Sequence, residues 1–90
     1  MSYAVYIIYS DKFDRYYIGQ TNNVRHRLEE HNSDKAGYTI SCQPWILVYE
    51  QKFNSRAEAM ILEKYLKSFK NKKRIKAYIA GWRSSTSRGS

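Results

Sequence analysis

The amino-acid sequence predicts an α+β fold of order β-β-α-β-α-α: a three-stranded sheet, antiparallel in type with mixed pairing, and helices packed on it. Three observations lead there. Two short runs rich in aromatic and β-branched residues, Tyr3–Tyr9 and Tyr16–Gln20, flank a cluster of turn formers. A third run of the same kind, Trp45–Phe53, begins directly after Pro44. The remaining stretches open on capping residues and then repeat apolar side chains at helical spacing.

The run YAVYIIY is apolar on both faces, which suits a central strand covered on both sides. Ser10–Asp14 turns the chain and Tyr16–Gln20 returns, so an antiparallel hairpin is expected. Thr21, Asn22 and Asn23 supply N-cap candidates for a helix over Val24–His31, with Val24 and Leu28 one turn apart towards the core. Asn32–Ser41 is polar and reads as loop. Ser55 followed by Glu58 fits a capping box and opens a helix over Arg56–Lys70, with Ala59, Leu62, Leu66 and Phe69 on one face. A last helix over Lys72–Ile79 points Ile75, Tyr78 and Ile79 inward and is expected to end at Gly81. Residues 1–82 are expected to form the domain, and the Ser/Gly/Arg-rich stretch 83–90 a disordered tail.

Ninety residues bury only roughly 60–65% of the unfolded surface, so the core must be well filled. A hydrophobic share of 42% is too high for a disordered chain. The nine tyrosines can serve both a small core and a site, because each has an apolar body and a polar tip. Sixteen Lys and Arg against eight Asp and Glu give a formal charge of +8, which favours a polyanionic partner, nucleic acid before an acidic membrane. No acid follows Glu63, whereas Lys64, Lys67, Lys70, Lys72, Lys73, Arg74 and Lys76 do. Cys42 stands alone, which excludes a disulfide framework and a thiolate zinc site. No segment approaches the length that spans a bilayer, and a reducing cytoplasm is the expected compartment.

Several residues could carry chemistry. An even-numbered hairpin loop makes opposed positions sum to an odd number, and Tyr6 and Tyr17 then share a face, opposite or one diagonal step apart. An odd loop separates them. Gly19 marks a bulge or the close approach of another group. The bland alternative is two core tyrosines. Arg27 and His31 are four apart on one helix face beside the Val24/Leu28 stripe. Arg27 could clamp a phosphate and His31 could carry a proton; alternatively both are solvated surface, with Arg27 paired to Glu29 or Glu30. Glu63 borders the apolar stripe of its helix, where a carboxylate can hold a hard divalent cation with water in the other positions. The alternative is an exposed Glu63–Lys67 ion pair.

The order of these residues resembles the GIY-YIG nuclease family. Tyr17-Ile18-Gly19 matches the second motif letter for letter, and Ala4-Val5-Tyr6 keeps the tyrosine of the first. Arg27 falls ten residues after Tyr17, where the family places its catalytic arginine. His31 follows on the same helix, as in many members, and Glu63 lies where the family places its metal-binding glutamate. The resemblance covers Tyr3 to Ile79 and is closest to small stand-alone bacterial members, related to the nuclease domain of the excision-repair incision subunit and to homing endonucleases. Asn71 is the candidate for a polar residue that family members often carry near the end of the fold.

The resemblance implies phosphodiester hydrolysis with one divalent metal, Mg²⁺ or Mn²⁺, held by Glu63. Tyr6 would help activate water, which calls for depression of its hydroxyl by nearby cations or by metal-bound water. Tyr17 would position water or phosphate, Arg27 would stabilise the transition state and His31 would orient the nucleophile or share its proton. Lys67, Lys70, Lys73 and Arg74 are expected to contact the backbone of nucleic acid, DNA ahead of RNA, and no membrane. The main rival is a nucleic-acid-binding module of the same fold without turnover; a third reading is a basic interaction protein.

Overall fold

The computed structural model of the protein describes residues 2–33 and 37–88. The order is β1 (Tyr3–Ser10), β2 (Arg15–Thr21), α1 (Val24–His31), a 3₁₀ segment (Gly37–Cys42), β3 (Trp45–Phe53), α2 (Arg56–Lys67) and α3 (Lys72–Arg88). This is the expected β-β-α-β-α-α sequence. The sheet order is β2-β1-β3, with β1 in the centre. Both pairings are antiparallel, so the sheet is wholly antiparallel and not mixed.

Alternation along β1 divides the core into two layers. Val5 and Ile7 face a cluster with Tyr49 of β3, Ala59 and Leu66 of α2, and Ile75 and Ile79 of α3. Tyr6 and Ile8 face the other way, against Cys42 and Trp45, with Tyr17, Val24, Leu28 and Leu47 packed around them. This is why the first run is apolar on both faces. Val5, Ile7, Ile8 and Leu66 are fully buried, each contributing about 1.5–3 kcal/mol by apolar burial. In the α2/α3 layer the Tyr49 and Tyr78 hydroxyls meet at 3.1 Å, and in the α1 layer Tyr6 meets His31.

The caps follow the sequence signals. The Asn23 side chain accepts from the His26 N–H at the start of α1, and Ser55 accepts from Glu58 N–H at the start of α2. Asn71 accepts from Arg74 N–H at 2.9 Å, so it caps α3. Helix α2 stops at Lys67, three residues earlier than expected, because the Ser68 hydroxyl donates back to the Tyr65 carbonyl and the chain turns at Phe69. Helix α3 instead runs through Gly81 to Arg88. Trp82 stacks edge-on against Tyr49 at 5.0 Å between centroids, and this packing carries the helix past the glycine. The stretch expected as a tail from Arg83 therefore falls inside α3 as far as Arg88; residues 89–90 lie outside the described residues. The loop expected over Asn32–Ser41 ends in the 3₁₀ segment, and its residues 34–36 lie outside the described residues. Among the described residues, no helix is long and apolar enough to cross a membrane.

Candidate active site

The loop between β1 and β2 is Asp11–Asp14, an even number of residues. Tyr6 opposes Gly19 and Ile8 opposes Tyr17, so the two tyrosines share a face one diagonal step apart. Their rings stack with centroids 6.4 Å apart and planes 24° apart. The Tyr6 ring lies across β2 directly over Gly19. A Cβ at position 19 would sit 2.5 Å from the Tyr6 hydroxyl oxygen and 2.7 Å from Cζ. The β1–β2 register runs unbroken past Gly19, so this glycine serves close approach and not a bulge. The hairpin tip is tied down at Asp14, whose φ of 52° an aspartate tolerates. Its carboxylate accepts from the Tyr9 hydroxyl at 2.7 Å and from Lys72 of α3 at 2.9 Å.

His31, the last residue of α1, is 9% exposed and closes the site from above. Its Nε2 lies 3.1 Å from the Tyr6 hydroxyl, and its ring lies 4.6 Å from the Tyr17 ring. Trp45 completes an aromatic box, 6.2 Å from both Tyr17 and His31. Two side chains hold the end of α1 against the start of β3. The Gln43 amide donates to the carbonyls of His31 and Ser33 at 2.9 and 2.8 Å. Asn32 accepts from the Trp45 N–H at 2.7 Å and donates to its carbonyl at 3.0 Å. Sequence reasoning missed Trp45, Gln43 and Asn32 as parts of this site. Only Trp45, an aromatic at a strand start, carried a signal that could have raised it.

The electrostatics set the protonation states. The Tyr6 hydroxyl is pushed far above the ordinary phenol value, first by burial and then by Tyr17. Arg27 pulls it down, as expected of a nearby cation, but Glu63 and Glu30 act the other way and burial outweighs it. Of the two sources of depression expected for Tyr6, the protein's own cations do not prevail over burial. Burial and the Arg27 charge hold His31 below its ordinary value, with Glu30 opposing. At neutral pH Tyr6 is a neutral phenol and His31 a neutral imidazole. In the tautomer that carries its proton on Nδ1, the imidazole accepts the phenol proton at Nε2.

Arg27 and Glu63 come from helices packed on opposite faces of the sheet, and the charge of each acts on the Tyr6 hydroxyl. Arg27 pairs with Glu30 at 3.4 Å, and Glu63 with Lys67 at 3.0 Å. The exposed Arg27–Glu30 pair is of a type worth only about 0.3–0.5 kcal/mol, whereas the Glu63 carboxylate is partly covered. Among the described residues, no group of three or more His, Cys, Asp or Glu could hold a metal. A lone, half-buried carboxylate fits a hard cation of the Mg²⁺ type, which keeps several waters and takes one or two carboxylates beside substrate phosphates. Lys67, Lys70, Lys73 and Arg74 are exposed along the α2–α3 corner. Lys67 is engaged by Glu63, and the Arg74 guanidinium lies 4.6 Å over the Phe69 ring.

Comparison with known proteins places the chain in a family. The GIY-YIG catalytic domain family matches residues 2–78. The UPF0213 protein SH2523 of Staphylococcus haemolyticus is 40% identical over 73 residues, covering 80% of this chain and 88% of that protein. The UPF0213 protein spr1390 of Streptococcus pneumoniae is 50% identical over 60 residues, covering 66% of this chain and 58% of that protein. The solution NMR structure of the UPF0213 protein BH0048 from Bacillus halodurans superposes with a TM-score of 0.54 at 34% identity, covering 87% of this chain and 83% of that one. A family match over residues 2–78 takes in nearly the whole chain, and the chain belongs to the GIY-YIG catalytic domain family.

Proposed function

We propose that this protein is a metal-dependent endonuclease that hydrolyses phosphodiester bonds, with DNA of particular structure as its preferred substrate. The observation that carries the reading is the Tyr6–His31 contact of 3.1 Å, set on the face it shares with Tyr17. A water placed at the Tyr6 hydroxyl gives that oxygen a proton as Tyr6 passes its own to His31 Nε2. The resulting hydroxide attacks phosphorus, and the bond to the leaving 3′-oxygen breaks. Tyr6 thus needs no tyrosinate, and its raised affinity for protons is compatible with a relay role. Tyr17 positions the water or a phosphate oxygen. Arg27, released from Glu30, stabilises the charge that develops on the equatorial oxygens. Glu63 would hold Mg²⁺ or Mn²⁺, which supplies charge stabilisation of the leaving oxygen when bound. Lys67, Lys70, Lys73 and Arg74 contact the backbone along the α2–α3 corner without reading bases.

The test is nicking of branched, nicked, single-stranded and RNA substrates with Mg²⁺, Mn²⁺ or chelator. Glu63→Gln, which keeps the side chain's shape, and Arg27→Ala, at an exposed position, are expected to abolish cleavage and leave the protein folded. Full activity in both variants sinks the assignment. A rival reading is a nucleic-acid-binding module without turnover. It is favoured by one observation: Arg27 and Glu63 both make ordinary surface ion pairs. Salt-sensitive binding without metal-dependent cleavage on any substrate selects that rival.

A further inference from the structure

Next to the paired tyrosines the structure holds a small concavity that the proposed chemistry does not use. Its volume is about 240 Å³, and Phe13, Arg15, Tyr17, Cys42 and Trp45 line it. That is below the ~300 Å³ lower end of drug-sized pockets, so it suits one flat ring system and little more. Its walls are aromatic: Tyr17 and Trp45 are already in edge contact with each other at 6.2 Å. Phe13 stands at the hairpin tip with 51% of its surface exposed, and the Lys12 ammonium lies 5.7 Å from its ring. Arg15 is exposed at the rim. An open groove lined by Phe13, Asp14, Arg15, Lys70 and Lys72 adjoins it; Asp14 pairs with Lys72 at 2.9 Å, so Arg15 and Lys70 give the exit its positive charge.

We infer that this pocket takes one unstacked nucleobase of the substrate, from a nucleotide next to the scissile phosphate. The inference rests on the nuclease reading for the word scissile, but the binding site stands without it. Tyr17 belongs both to the pocket wall and to the pair that faces the phosphate. A base seated between Phe13 and Tyr17 therefore has its own backbone at the catalytic face, and the cationic groove leads the next phosphates away. Every base has a π-face, so stacking of this kind tolerates any sequence. A base held inside a duplex cannot enter without leaving its stack. The pocket thus selects substrates that present an unpaired nucleotide at the cleavage point: branches, bulges and single-stranded segments.

The experiment is fluorescence polarisation with the full chain in chelator, so that turnover plays no part. It compares a single-stranded oligothymidine with an abasic strand of the same length and charge. The wild type is expected to bind the base-bearing strand at least about tenfold more tightly, the change produced by stacking of a single base. Phe13→Ala should erase most of that advantage and Phe13→Trp should restore it. Tyr65→Ala, which removes an exposed aromatic on α2, should leave the advantage intact. Equal affinities for the two strands in the wild type overturn the inference, as does an advantage untouched by Phe13→Ala, or no binding of either strand. Equal affinities alongside Mg²⁺-dependent cleavage defeat the pocket and spare the nuclease. A base advantage that depends on Phe13, with no cleavage of any substrate, supports the pocket and defeats the nuclease.

Discussion

The hydroxyl of Tyr6, from the central strand, lies 3.1 Å from Nε2 of His31 at the end of α1. Both groups are buried and both are held neutral, the phenol by a raised and the imidazole by a lowered pKa. A neutral donor facing a neutral acceptor is the arrangement that lets a proton move along the pair without separating charge beforehand. His31→Gln should keep a hydrogen-bond partner for Tyr6 but provide no proton acceptor. A fall in cleavage rate of roughly 10²–10⁴-fold is expected, the usual worth of general acid–base catalysis. Single-turnover rates check this, and a fall below threefold would remove His31 from the proton path.

The His31 environment also shapes stability. Its folded pKa lies below the ordinary value of 6.5. Between those two values the unfolded chain binds more protons than the folded one, so stability rises with pH across that window. The melting temperature should therefore drop as pH falls through about 6.5, and His31→Gln should drop less over the same range. Parallel thermal melts of the two proteins measure the difference.

Gly19→Ala tests the close approach at the hairpin. The added Cβ would meet the Tyr6 hydroxyl at 2.5 Å and its ring at 2.7–2.9 Å, and the ring must move off β2. The overpacking should cost about 1–3 kcal/mol of stability, and the displaced hydroxyl should lose its alignment with His31. Cleavage should fall much further than stability does. A crystal structure of the variant with the Tyr6–His31 contact unchanged would refute this.

Much of this was legible beforehand. The caps at Asn23 and Ser55 and the apolar stripe of α2 follow from local chemistry, and local chemistry decides them, whereas the parity of the hairpin loop was open until the register of β1 and β2 fixed it. Gly19 left a bulge or a close approach open, because only the position of the Tyr6 ring separates them. The extent of α3 was not legible. Gly81 is a good local stop, but Trp82 against Tyr49 is a tertiary contact and it prevails. The Asn32, Gln43 and Trp45 network was also hidden, since it joins a helix end to a strand start across the 3₁₀ segment. Asn71, the candidate polar residue, has its side chain occupied as the cap of α3.

Tyr9 offers a check on the hairpin tip. The hydrogen bond to Asp14 is the largest of the effects that push its pKa up to about 12. Asp14 in turn is held low by Lys72 and by that same hydroxyl. Asp14→Ala should bring Tyr9 back towards the ordinary value of 10.0. An absorbance titration of the tyrosines should then show one more residue ionising at the lower pH. An unchanged titration would mean the tip is not tied as described.

The central claim is that Tyr6 works as a catalytic group and not as a core residue. Its most direct test is the cleavage rate of Tyr6→Phe beside the wild type on a branched DNA substrate with Mg²⁺ or Mn²⁺. The substitution removes one oxygen and leaves the ring over Gly19. Metal-dependent cleavage by the wild type with a loss of roughly 10²–10⁴-fold in the variant is the predicted result. Cleavage at the wild-type rate by Tyr6→Phe would contradict it.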